Sequence, residues 1–81
     1  MQTFYVLNPG DMQDVQTFDE ARVAVSMFQQ ADASPFARLY RCTTSLRRAP
    51  AQQWESYERG RWFEANRDDI PLKVLDARKS R

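Results

Sequence analysis

Only one stretch of this chain repeats apolar residues at helical spacing for long enough to cover a sheet. At about 100° per residue, Phe18, Ala21, Ala24, Val25, Phe28 and Ala31 share one broad face. Ahead of them, Thr17-Phe18-Asp19-Glu20 has the form of a capping box. In such a box the Thr17 hydroxyl accepts from the Glu20 amide, and the Glu20 carboxylate reaches back to the Thr17 amide. Asp19 and Glu20 also place negative charge at the positive end of the helix dipole. Asp32-Ala33-Ser34-Pro35 ends the run, because the residue before a proline disfavours the α region. These signals predict a helix from Thr17 to Ala31. One amphipathic helix and several strands close a core as a helix layer on a sheet layer. The expected fold is therefore α+β, a single two-layer domain in the order β-α-β-β-β, with the helix packed on an antiparallel sheet.

The strand segments follow from composition and punctuation. Thr3-Phe4-Tyr5-Val6-Leu7 is β-branched and aromatic and stops at the turn cluster Asn8-Pro9-Gly10-Asp11. Both faces of this strand are apolar, which places it inside the sheet. A second strand spans Phe36 to Thr44; alternation puts Leu39 toward the core and leaves Arg38 and Tyr40 on the open face. The segment from Gln52 to Ala65 has two readings. As a helix, it starts at Pro50 and ends at Gly60, with Glu55 and Arg59 as an (i, i+4) pair. As a hairpin, Arg59-Gly60 is a two-residue turn that pairs Glu58 with Arg61, Tyr57 with Trp62, Ser56 with Phe63 and Glu55 with Glu64. The hairpin is preferred because Trp62-Phe63 suits a sheet setting, although Glu55 opposite Glu64 is unfavourable. Asn66-Arg67-Asp68-Asp69 reads as a turn, and Ile70 to Leu75 as a last strand that Pro71 confines to an edge. The domain covers residues 1–77, followed by a basic tail over 78–81. The expected core is Phe4, Val6, Phe18, Ala21, Val25, Phe28, Leu39, Phe63, Leu72 and Val74, with Phe28→Ala costing about 3–5 kcal/mol.

Composition removes most chemistries. The chain of 81 residues has no His, one Cys and no Gly-rich phosphate loop, so Ser-His-Asp and Cys-His catalysis lack their parts. The carboxylate pairs Asp19/Glu20 and Asp68/Asp69 fall at a helix start and in a turn, where capping and solvation explain them. Glu64, Asp68 and Asp69 lack the alternating oxygen ligands and fixed glycine of a calcium loop. No enzyme activity, cofactor or metal is expected. Cys42 cannot form an internal disulfide, which excludes a disulfide-stapled secreted domain. No run approaches about 18 apolar residues, and Met1-Gln2-Thr3 lacks a basic-then-apolar signal pattern. A cytoplasmic protein with no membrane partner is expected.

The 12 Lys and Arg nearly balance 11 Asp and Glu, which disfavours a free-standing nucleic-acid binder, since phosphate contacts dominate the affinity of that class. Ten of the 12 basic residues are Arg, whose planar fork pairs bidentately with carboxylates and phosphates. Arginine and aromatic residues interleave at Tyr40, Trp54, Tyr57, Arg59, Arg61 and Trp62. On a sheet face that the single helix leaves open, this set resembles a protein-docking patch, because Trp, Tyr and Arg dominate hot spots. Trp54 alternates to the other face from Tyr57 and is equally suited to the core. A second candidate is the Val23 and Met27 ridge on the outer helix face, which suits pairing of two copies into a homodimer. The alternative class is a small nucleic-acid binder using Arg38, Arg41, Arg47, Arg48, Arg59, Arg61 and the basic tail, with aromatics stacking on bases. Glu55, Glu58 and Glu64 among those arginines favour a protein partner of mixed charge. In size and style the chain is akin to small accessory proteins of phages and mobile elements, which act by stoichiometric docking on a host protein.

Overall fold

The first strand has apolar residues on both faces because two separate layers cover it. In the computed structural model, which describes residues 2–10, 12–31, 35–45 and 51–77, β1 (Gln2–Asn8) lies between β2 (Gln16–Phe18) and β3 (Arg38–Thr44), and β4 (Gln52–Glu58) and β5 (Arg61–Glu64) complete the sheet. The spatial order is β2-β1-β3-β4-β5, and every neighbouring pair is antiparallel. The main helix α1 (Ala21–Ala31) follows β2, while a 3-10 turn (Arg67–Asp69) and a short helix α2 (Leu72–Leu75) follow β5. This is the small α+β architecture that the single amphipathic helix implies.

Register sorts the side chains onto the two faces. Tyr5 pairs with Phe18 and Arg41, and Leu7 with Leu39, so these residues share the α1 side. There Tyr5, Leu7, Leu39 and Ala24 form a buried cluster, against which Val25, Met27, Phe28, Tyr57 and Trp62 pack. Phe4 pairs with Cys42, Val6 with Tyr40, and Cys42 with Trp54, which places them on the other side. Their cluster is closed by Ile70 and Val74 from the C-terminal segment. The sheet face expected to be open is thus occupied at its centre by residues 70–77. Lys73 clamps that segment in place, its Nζ donating to the carbonyls of Gly10 at 2.6 Å and Gln13 at 2.9 Å.

Two local expectations are corrected. The helix does not start at Thr17, because Gln16–Phe18 pairs with the edge of β1 as a strand. Helical bonding starts three residues after Thr17, with the Glu20 carbonyl accepting from the Ala24 amide at 3.0 Å. Backbone pairing along the β1 edge outweighs a side-chain cap worth about 1 kcal/mol. The last strand does not form either. Asn66 accepts from the Asp68 amide through its side chain and starts the 3-10 turn. Pro71 has no N–H for a ladder, and its carbonyl instead accepts from Val74 and Leu75. The resulting turn of helix puts Ile70 and Val74 inward and leaves Leu72 74% exposed.

The core shifts accordingly. Phe63 is 47% exposed and Ala21 is exposed, while Phe18, Val25 and Phe28 are half-buried at the rim. Tyr5, Leu7, Tyr40, Cys42 and Trp54 take the interior positions instead. Trp54 meets Phe4 edge to face at 6.1 Å, and its buried Nε1 has no hydrogen-bond partner among the described residues. Such an orphan donor costs about 1–3 kcal/mol, which the burial of a large ring offsets.

Burial raises the pKa of the Tyr40 phenol above its usual 10.0, with the positive charge of Arg38 opposing in part. The unfolded chain therefore releases this proton first. The stability that neutral Tyr40 contributes is complete below pH 10.0 and is lost as pH rises from there through the folded value. Tyr40→Phe should flatten that part of the alkaline unfolding curve, as followed by circular dichroism between pH 9 and 12. A curve that falls as steeply as that of the wild type would show that Tyr40 is not responsible.

Candidate functional site

The β4–β5 hairpin places most of the candidate residues. Arg59 and Gly60 both have positive φ, 50° and 82°, which is the two-residue turn whose twist matches the flanking strands. All four expected cross-strand pairs form, from Glu58 with Arg61 to Glu55 with Glu64. Tyr57 and Trp62 make one aromatic platform, their ring centres 5.1 Å apart. The platform faces α1, and it is bordered by Phe28 at 5.9 Å from Tyr57 and Tyr5 at 5.6 Å from Trp62.

Several candidates are withdrawn into the structure. Tyr40 and Trp54 are 8% and 3% exposed beneath the C-terminal segment and contribute no surface to the platform. Their strand positions lie on the opposite face from Tyr57 and Trp62. Arg41 donates through Nε and Nη2 to both carboxylate oxygens of Glu55 at 2.9 and 2.8 Å, and its guanidinium carbon sits 4.6 Å from the Trp62 ring centre. The hydrogen bonds to Glu55 hold its charge more firmly still, raising its pKa. This bidentate contact offsets the repulsion between Glu55 and Glu64 and occupies the fork that a phosphate would need. The Val23 and Met27 ridge is also divided. Met27 packs against the α1-side cluster, and Val23 is 41% exposed without it. Arg47, Arg48 and the tail over 78–81 lie outside the described residues.

What remains converges at one end of the sheet, where β3 begins beside the hairpin tip. Arg38, Arg59 and Arg61 line an open groove of about 920 Å³ together with Phe28, Tyr57 and Phe63. Among the described residues, Glu58 is the one carboxylate on its wall. Arg38 is fixed by its own turn, Nη1 donating to the carbonyls of Pro35 at 3.1 Å and Ala37 at 2.9 Å. Arg59 and Arg61 are exposed and form no ion pair with the described residues. Phe28 and Phe63 are the groove residues that sequence reasoning assigned to the core. The hairpin register carried the missing signal for Phe63, since it alternates away from Trp62 and toward Arg61. Among the described residues, no three His, Cys, Asp or Glu side chains converge on a point, and no helix is long and apolar enough to cross a membrane. Comparison of the chain with known protein families, with curated proteins and with solved structures finds no match.

Proposed function

We propose that this chain is a non-enzymatic binding module that docks stoichiometrically on another protein through the groove at the hairpin tip. The observation that carries the reading is the meeting of Arg38, Arg59 and Arg61 with Phe28, Tyr57 and Phe63 around one open concavity. Among the described residues, three guanidinium groups against one carboxylate favour a partner that presents acidic residues, and the aromatic walls supply the desolvated contact on which hot spots depend. The turn adds support. Arg59 holds a left-handed backbone that costs an ordinary side chain about 1–2 kcal/mol, at a position where Asn or Gly is the easier occupant. Strain kept at an exposed arginine fits a residue retained for contact rather than for stability. In this reading the protein modulates its target by occupancy, as accessory proteins of phages and mobile elements do.

The test uses the purified protein as bait, with and without nuclease, beside the double variant Arg59→Glu/Arg61→Glu. A protein captured by the wild type after nuclease treatment, and lost with the double variant, is the expected result. Capture that depends on nucleic acid and collapses steeply with added salt would instead identify a phosphate-binding surface. Arg59→Asn offers an independent check. It should raise stability by about 1 kcal/mol through relief of the left-handed strain and weaken capture at the same time.

A further inference from the structure

Among the described residues the sheet has two free edges of unequal character. β2 has only three residues, whereas β5 presents Arg61, Trp62, Phe63 and Glu64 and pairs with β4 alone. A two-residue turn makes Glu58 and Arg61 a hydrogen-bonded pair, and such pairs recur at every second position. The Ala65 amide donating to the Trp54 carbonyl at 2.9 Å continues that phase. Alternation therefore directs the N–H and C=O of Trp62 and Glu64 away from β4, toward the free edge. Between them Phe63 is 47% exposed, on the face opposite α1.

We infer that β5 pairs antiparallel with β5 of a second copy, joining two five-stranded sheets into one. The occupant is a second copy because the edge is complementary to itself in a single register. The outward groups belong to Trp62 and Glu64, so only pairings of these two residues with each other or with themselves keep the ladder in phase. Glu64 opposite Glu64 of the second copy sets like charges together. Trp62 opposite Trp62 of the second copy extends the pairing into Gly60, whose φ of 82° takes it out of the strand. Trp62 opposite Glu64 of the second copy avoids both. It forms two reciprocal hydrogen-bonded pairs and places Phe63 beside Phe63 of the second copy on the symmetry axis. That central position is a non-hydrogen-bonded one, where facing side chains approach most closely, and an aromatic pair there is favourable. Arg61 then lies opposite Ala65 of the second copy.

A contact of one short strand falls below the size of stable interfaces, about 1,200 Å², so the dimer is weak and reversible. Sedimentation of the whole chain should show its mean mass rising from one copy toward two between about 10 µM and 1 mM. Glu64→Pro removes an outward N–H without touching the β4 ladder, and Phe63→Lys sets two like charges on the axis. Both should remain monomeric over the same range with an unchanged far-ultraviolet spectrum. Under mild oxidation Phe63→Cys should cross-link into a dimer, because the facing Cβ atoms lie about 4.5–5.5 Å apart, while Arg61→Cys should not. A wild type that stays monomeric at the highest concentration, or folded variants that dimerise as it does, would overturn the inference. Efficient cross-linking of Arg61→Cys with none for Phe63→Cys would overturn the register.

Discussion

Val74→Asp is expected to leave the chain unfolded at 25 °C, while Leu72→Asp leaves it folded. Val74 has no exposed surface and closes the cluster made by Phe4, Val6, Tyr40, Cys42 and Trp54. A carboxylate there loses the burial of the valine, about 1.5–3 kcal/mol, and adds an unpaired buried charge at about 3–5 kcal/mol. For 81 residues, the usual total stability is about 4–12 kcal/mol, so little or nothing remains. Leu72 is 74% exposed, and substitution at such a position shifts stability by roughly 0.5 kcal/mol or less. The contrast separates two geometries. In a strand, positions 72 and 74 face the same way and would suffer alike; on α2 they point apart. Circular dichroism and one-dimensional NMR of the two variants decide it, and equal damage from both would contradict the helical C-terminal layer.

Leu39→Ala should cost about 2–5 kcal/mol, the range for emptying a well-packed leucine site. Leu39 is fully buried on β3, between Leu7 of β1 and the helix layer. At about 4–8 °C per kcal/mol for a domain of this size, the midpoint of thermal unfolding should fall by roughly 8 °C or more. Phe28→Ala removes a larger side chain but should cost less, because Phe28 is half-buried and opens onto the groove. If the phenylalanine variant proves the more damaging, the centre of the α1-side core has been misplaced.

The parts legible in the sequence were those fixed by neighbours in the chain. The hairpin register follows from Arg59-Gly60 alone, and the interior position of β1 follows from apolar residues on both of its faces. The failures arose where distant segments competed. Thr17 to Glu20 satisfies a local capping rule, but the edge of β1 was available, and only the tertiary structure shows that Gln16–Phe18 takes it. Alternation assigned Tyr57 and Trp62 to one face and Trp54 to the other correctly. It could not tell which face α1 would cover, nor that Ile70 and Val74 would cover the second. The structure divides the arginine and aromatic set, with Tyr40 and Trp54 in the interior and Tyr57, Arg59 and Arg61 on the groove.

The position of β1 as the wall shared by both clusters has a consequence for how the chain is made. β2 follows it closely, but its other contacts come late: β3 begins thirty residues after β1 ends, and Lys73 reaches the carbonyl of Gly10 across 63 residues of sequence. At about 5–20 residues per second, Val74 leaves the ribosome roughly 3–13 s after Leu7. During that interval the cluster around Phe4 and Val6 lacks Ile70 and Val74, and Phe4-Tyr5-Val6-Leu7 is an uncharged apolar segment of high strand propensity, the type most prone to pair with other nascent chains. The α1-side cluster has its last members at Tyr57 and Trp62, whereas the opposite cluster waits for Ile70 and Val74, so the two faces of β1 should be covered in that order as the chain is made.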